Sequence, residues 1–136
     1  MIFLLDTNAC ISCLNRRPTG VWRRLCRTKD RDIAICSVVK AELFAGARRS
    51  SDPRRALAGQ RQFLGRFRSL PFDDRAAEVT GHIHAKLAAL GTPIGPLDLL
   101  IAAIALANGL TLVTHNTREF GRVDGLTVDD WENTTP

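Results

Sequence analysis

The order of apolar and polar positions divides the chain into short strands and longer helices. Ile2 to Leu5 is wholly apolar and predicts a strand, leading into a helix over about 7–15 with Pro18 as its stop. A second short helix is expected from Val21 to about Thr28, approached through Pro18, Thr19 and Gly20. "DIAIC", Asp32 to Cys36, reads as a strand, after which Ser37 caps a helix to about Ser50. Asp52–Pro53 sets a cap before a proline at the first helical position and starts an Arg-rich helix to about Arg68. "SLPF", Ser69 to Phe72, is a weak strand. Asp73 then caps a long helix over 74–90, ended by Gly91. The loop "GTPIGP" delivers Pro96 as the first residue of a helix to Asn108, closed by Gly109. A strand over 110–114, a short helix at about 117–120 and a last strand at "LTV", 126–128, complete the pattern.

Strands that are apolar on both sides and separated by helices need a sheet covered on both faces. The expected fold is therefore an α/β sandwich with a mostly parallel sheet. A length of 136 residues suits a single domain with one real core. In such sheets ligands bind beyond the carboxyl ends of the strands, where the strand order reverses.

Charge changes the picture. Residues 16–68 hold 15 Lys and Arg against 4 Asp and Glu, whereas residues 69–136 hold 4 against 9. So basic a stretch favours a polyanionic partner, and nucleic acid is the natural one; a solvated basic face is the plainer alternative. The longest apolar run, Leu99 to Ala107, is nine residues, under half of a membrane span. With no basic leader or cleavage site, no membrane association and a cytoplasmic location are expected. Cys10 and Cys13 form a C-x-x-C after a strand, as in thioredoxin-like redox pairs, but there is no second C-x-x-C to complete a zinc site. The four cysteines are expected to be reduced and mostly buried.

The candidate chemistry lies in the acids. Asp6 ends the first strand and is followed by Thr7 and Asn8; alone, it would pass as a helix cap. Glu42 lies in the second turn of its helix, on a face shared with Val38, Val39 and Ala45, where a carboxylate needs a cationic or other polar partner. Lys40 or an arginine would serve. Asp98, in the first turn of its helix, is favoured there by the helix dipole, yet its surroundings are nearly all apolar. Asn116 and Glu119 follow the strand at 110–114, and either could cap the short helix after it. Carboxylates gathered from separate segments repel unless a hard cation joins them. Mg²⁺ takes one or two carboxylates with waters and substrate phosphate, an arrangement suited to metal-assisted attack of water on a phosphodiester.

"LLDTN" at 4–8, "AELFAGA" at 41–47, "GTPIGPLDLLIAAIA" at 91–105 and "VTHNTREF" at 113–120 resemble, in order and spacing, the signatures of PIN-domain ribonucleases. More narrowly they are similar to VapC-type toxins of toxin–antitoxin pairs, and the likeness extends to "GLTVDDW" at 125–131. The resemblance implies a three-layer α/β/α sandwich with a short, mostly parallel central sheet. It implies a Mg²⁺- or Mn²⁺-dependent endoribonuclease that cuts structured RNA, tRNA among it, and so inhibits translation. Asp6, Glu42 and Asp98 match the metal-binding acids, and Thr7 and Thr114 the hydroxyl residues that orient them. Asn116 falls where many PIN domains carry a fourth acid, with Glu119 as its stand-in. Expected partners are a VapB-like antitoxin lying over the site, a second copy in a homodimer, and operator DNA reached only through the antitoxin. Lys40, Arg48, Arg49, Arg54 and Arg55, with Arg61, Arg66 and Arg68, are the expected grips on the RNA backbone.

Two other function classes fit parts of the pattern. An aspartyl-phosphate phosphohydrolase would use Asp6 as nucleophile but would want a second acid where Asn8 stands. A non-catalytic interaction module would leave the acids structural. His82 and His84 point apart on a helix and do not read as zinc ligands, and Trp22 and Trp131 read as packing or dimer contacts.

Overall fold

In the computed structural model, which describes residues 1–15 and 19–132, five short strands form one sheet: β1 (Phe3–Leu5), β2 (Ile33–Cys36), β3 (Arg68–Leu70), β4 (Thr111–Val113) and β5 (Val128–Asp129). The order is β3-β2-β1-β4-β5, and every pairing among them is parallel. The helices are α1 (Thr7–Leu14), α2 (Gly20–Cys26), α3 (Ser37–Arg48), α4 (Pro53–Leu64), α5 (Asp74–Ala89), α6 (Pro96–Ala107) and α7 (Thr117–Phe120). They complete a three-layer α/β/α sandwich, as the apolar patterning and the resemblance both required. No described helix is long and apolar enough to cross a membrane.

The core follows directly from the most apolar segments. Leu4, Leu5, Ile33, Ala34 and Ile35 of the central strands are fully buried, as are Ile101 to Ala105 of α6. A helix covered nearly all round reads as a continuous apolar run rather than as a stripe, which is why 99–107 looks so hydrophobic. Trp131, also fully buried, packs edge-on to Phe3 with ring centroids 5.1 Å apart. Trp22 is exposed instead.

Several boundaries differ from expectation. Helix α4 ends at Leu64 rather than near Arg68, because Gly65 caps it and Phe67 turns into the core. Arg68 thereby pairs with Ala34 and begins β3. Cys36, in extended conformation, occupies the cap position of α3, and Ser37 is its first helical residue. Asp52 and Asp73 do cap their helices, accepting from Arg55 N at 3.2 Å and Ala76 N at 2.9 Å. The last strand sits two residues later than "LTV", since Leu112 and Thr114 bond to Thr127 and Asp129. Helix α2 stops at Cys26, and a single 3-10 turn at Asp30–Asp32, not foreseen, leads into β2. Pro18, the expected stop of α1, lies outside the described residues.

The chain runs from β1 outward to β2 and β3 before returning to the other side of β1 as β4. The segments that leave the carboxyl ends of the adjacent strands β1 and β4 therefore turn toward opposite halves of the sheet, leaving a crevice between them. Leu5 pairs with Val113, so Asp6 and Thr114 are the next residues out on adjacent strands.

Candidate active site

Asp6 stands at that switch point and is 5% exposed. Its carboxylate caps α1, accepting from Ala9 N at 2.8 Å, and also takes a hydrogen bond from the Thr114 hydroxyl. Thr114, 1% exposed, in turn accepts from Asn116 N at 3.0 Å. Capping and site-building are thus the same interaction here. Burial pushes the Asp6 carboxyl above its ordinary value, hydrogen bonds from Thr114 and Ala9 pull against it, and the charge of Glu42 adds to the rise.

Glu42 reaches this point from α3. Its partner is neither Lys40 nor an arginine but the hydroxyl of Thr7, which donates to Oε1 at 2.8 Å. Among the described residues no cation lies within ion-pair distance of it. A short side chain at the start of α1 supplies the polar contact.

Asp98 is half-buried in the first turn of α6, and its carboxyl is raised to about 6. Burial is the largest cause, followed by the negative charges of Glu119, Glu42 and Asp6. Acids from three other segments thus act on Asp98, and Glu42 also acts on Asp6. Glu119 is held differently. Asn116 Nδ2 donates to its Oε2 at 2.8 Å and Gly95 N to its Oε1 at 2.8 Å. Those bonds keep the Glu119 carboxyl below its ordinary value. Gly95 lies beside both acids: a Cβ there would be in ordinary contact with Asp98 Oδ2 at 3.5 Å and Glu119 Oε1 at 3.9 Å.

Asn116 is therefore the cap of α7 and the tether of Glu119, while the charge of Glu119 is the largest of the three acting on Asp98. The role of Gly95 was not foreseen. "GTPIGP" offers only a loop signal, and the contact that matters joins residues 24 positions apart.

Among the described residues no three of His, Cys, Asp and Glu stand close enough to grip one metal ion together. The donors are nonetheless all hard carboxylate oxygens. They suit a cation that takes one or two protein carboxylates and completes its shell with water.

The other chemical candidates fall away. Cys10, Cys13 and Cys36 are buried thiols and Cys26 is exposed; all are free. Burial raises Cys10 and Cys36 and pushes Cys13 up to about 12, the opposite of a reactive redox pair. His82 and His84 are exposed on α5. Of the basic residues, Arg48, Arg49, Arg54 and Arg55 are exposed and Lys40 is half-buried. Arg49 lines a small crevice with Glu42 and Leu97, and Arg55 lines a larger groove that also reaches Glu42. Arg66, counted above among the RNA grips, is already engaged. It forms a two-pronged pair with Asp30 at 2.9 and 3.2 Å and lies over the Phe63 and Phe67 rings.

The PIN domain family profile matches residues 3–126. This chain belongs to the PIN domain family. It falls in the VapC-type branch: it is 44% identical to the tRNA(fMet)-specific endonuclease VapC of Shigella flexneri, over 95% of this chain and 97% of that protein. Among solved structures it is similar to the toxin chain in DNA-bound VapBC from Salmonella typhimurium, with TM-score 0.90 and 41% identity, covering 96% and 98% of the two chains. VapBC2 from Rickettsia felis, bound to a fragment of its promoter, superposes at TM-score 0.89 with 35% identity over 96% and 99%. PIN membership over most of the chain agrees with the quoted motifs, from "LLDTN" to "VTHNTREF".

Proposed function

We propose that the chain is a Mg²⁺- or Mn²⁺-dependent endoribonuclease, the toxin of a toxin–antitoxin pair, acting on structured RNA of the tRNA class. The observation that carries this reading is the convergence of Asp6, Glu42, Asp98 and Glu119 at one switch point. Burial and neighbouring negative charge raise the carboxyls of Asp6 and Asp98, and among the described residues none of the four acids forms an ion pair with Lys, Arg or His. Asp6 and Asp98 would hold the ion, with Glu119 as the fourth acid beside Asp98. Bound there, a hard divalent cation supplies the charge that polarises a phosphoryl oxygen and lowers the pKa of a coordinated water.

The chain's own groups do the positioning. Thr114 fixes Asp6, Thr7 fixes Glu42, and Asn116 with Gly95 N fixes Glu119. Glu42 steers the attacking water. Lys40 and the arginines Arg48, Arg49, Arg54 and Arg55 hold the RNA backbone, setting affinity and register rather than base choice. The substrate class is supported by the relative named as a tRNA(fMet)-specific endonuclease.

A VapB-like antitoxin is supported by the relatives solved as VapBC complexes. A groove of about 530 Å³ between α1, α3 and α4 leads to Glu42 and suits a peptide segment. Gln60, which lines it, donates to Leu43 O at 2.9 Å, and its buried Oε1 has no hydrogen-bond partner among the described residues. Operator DNA would be reached through that antitoxin. A homodimer is in keeping with the large apolar side chains exposed at Leu90 and Leu97.

The test pairs cleavage with binding. Asp6→Ala should abolish cleavage of a tRNA pool while leaving RNA affinity within a few-fold. Calorimetric titration with Mn²⁺ should show binding that Asp98→Asn loses. Cleavage retained by Asp6→Ala, or by the wild type in excess chelator, would overturn the proposal.

A further inference from the structure

The loop 91–95 leads from α5 straight to Asp98, yet its own backbone has few groups by which to be held. Pro93 has no backbone N–H, and neither does Pro96, the first residue of α6. Gly91 N and Thr92 N bond back to Ala88 O and Leu87 O of α5, which fixes only the entry to the loop. Its exit is gripped from outside, by side chains of α7 and the turn after it. Gly95 N donates to Glu119 Oε1 at 2.8 Å, and Arg122 Nη1 donates to Pro93 O at 2.9 Å. Ile94, between the two grips, packs against the core.

Glu119 and Arg122 thus clamp the loop at two points. A carboxylate accepts and a guanidinium donates, so one side chain takes a backbone N–H and the other a carbonyl. The consequence reaches Asp98. Gly95 is the cap residue of α6, its carbonyl accepting from Leu99 N at 2.9 Å. Asp98 Oδ2 lies 3.5 Å from the place a Gly95 Cβ would occupy. The first turn of α6, and Asp98 with it, is therefore built on a residue whose position the clamp sets. Arg122 is half-buried and forms no ion pair among the described residues. Its charge also favours the ionised Glu119, after the larger effects of the hydrogen bonds from Asn116 and Gly95.

We propose that Arg122 is a positioning residue of the acid site: by holding Pro93 O it seats the loop so that Gly95 N meets Glu119, and so fixes Asp98 relative to Glu119. Its effect on function is exerted through Asp98 and the cation that this acid would hold. The inference rests on the metal-dependent nuclease reading for what the site binds. The clamp itself is measurable in the metal-free chain.

Amide hydrogen exchange of the full-length chain in chelator, followed residue by residue by NMR, compares Gly95 with Leu110, whose N–H bonds to Ala105 O near the far end of α6. In Arg122→Ala, exchange at Gly95 should speed up at least tenfold more than at Leu110. Arg122→Lys, which keeps a cationic donor, should recover at least half of that difference on a logarithmic scale. Lys86→Ala, which breaks the neighbouring pair with Asp124, is the control and should leave Gly95 within twofold. In calorimetry Arg122→Ala should bind Mn²⁺ at least fivefold more weakly. At limiting Mn²⁺ its kcat on a tRNA pool should fall while KM for RNA stays within twofold. Equal acceleration at Gly95 and Leu110 would mean a general loss of stability and would overturn the proposal. So would a raised KM with kcat and Mn²⁺ affinity unchanged, the mark of a phosphate grip. A wild type that neither binds Mn²⁺ nor cuts RNA would overturn the nuclease reading instead, and the exchange ratio would then decide the clamp by itself.

Discussion

Replacing Asp98 with asparagine should stabilise the metal-free protein at neutral pH, although it removes a residue from the candidate active site. The carboxyl is raised from 3.8 to about 6 by burial and by Glu119, Glu42 and Asp6. At 1.36 kcal/mol per pH unit, that corresponds to about 3 kcal/mol held against folding when the group is ionised. Asp98 is only half-buried, and solvent screening reduces this to about half. The charge also gains roughly 0.5 kcal/mol from its place in the first turn of α6, which asparagine forfeits. About 1 kcal/mol of net stabilisation is left, or about 3–4 °C in Tm for a chain of this size.

The sign follows from proton binding. The folded state holds the proton more tightly than the unfolded chain, so stability falls as pH rises from 3.8 toward about 6. The advantage of Asp98→Asn is therefore absent below about pH 3.8 and complete above about pH 6. Thermal unfolding of both proteins in chelator, at half-unit steps from pH 4 to 8, measures it. A difference that is independent of pH, or a variant less stable at pH 7, would refute the electrostatic strain argued for the site. Adding Mn²⁺ at pH 7 should raise the Tm of the wild type and not that of the variant.

Thr114→Val should cost about 1–3 kcal/mol in urea denaturation, because the hydroxyl serves both Asp6 and Asn116 N and its loss leaves buried polar groups unpaired. Cleavage should fall with it, since Asp6 loses its orienting donor. Trp131→Ala should cost about 3–5 kcal/mol by chemical denaturation, as the indole is fully buried against Phe3 and its Nε1 donates to Asp129 at 3.0 Å. A loss under 1 kcal/mol would show that the C-terminal segment is not part of the core. RNA affinity should fall steeply with salt, and Arg49→Gln and Arg55→Gln should each lower the slope of log K against log salt by about 1 if they contact phosphate. An unchanged slope in both would move the RNA path off α3 and α4.

The residues that carry charge into the site were legible in the chain because their local environments are anomalous. Asp6 closes an apolar strand and Asp98 heads the most apolar helix; a cap and a favourable first turn account for either acid alone, but their apolar surroundings set them apart. The fold class was legible for a related reason: strands apolar on both sides admit few solutions other than a covered parallel sheet. The family signature added identity to positions that periodicity had already marked.

What the linear order could not supply was distance. That Glu42 answers to Thr7 rather than to Lys40, that Glu119 is tied to Gly95, and that Arg66 is occupied by Asp30 all depend on contacts across 24 to 36 residues. The same holds for His115 and Asp130, which no local pattern joins. Hydrophobic periodicity records which face of an element is buried, because burial acts on each residue separately. Pairing of polar groups is decided by the packing of whole elements, and so it appears only when β1 and β4 stand side by side.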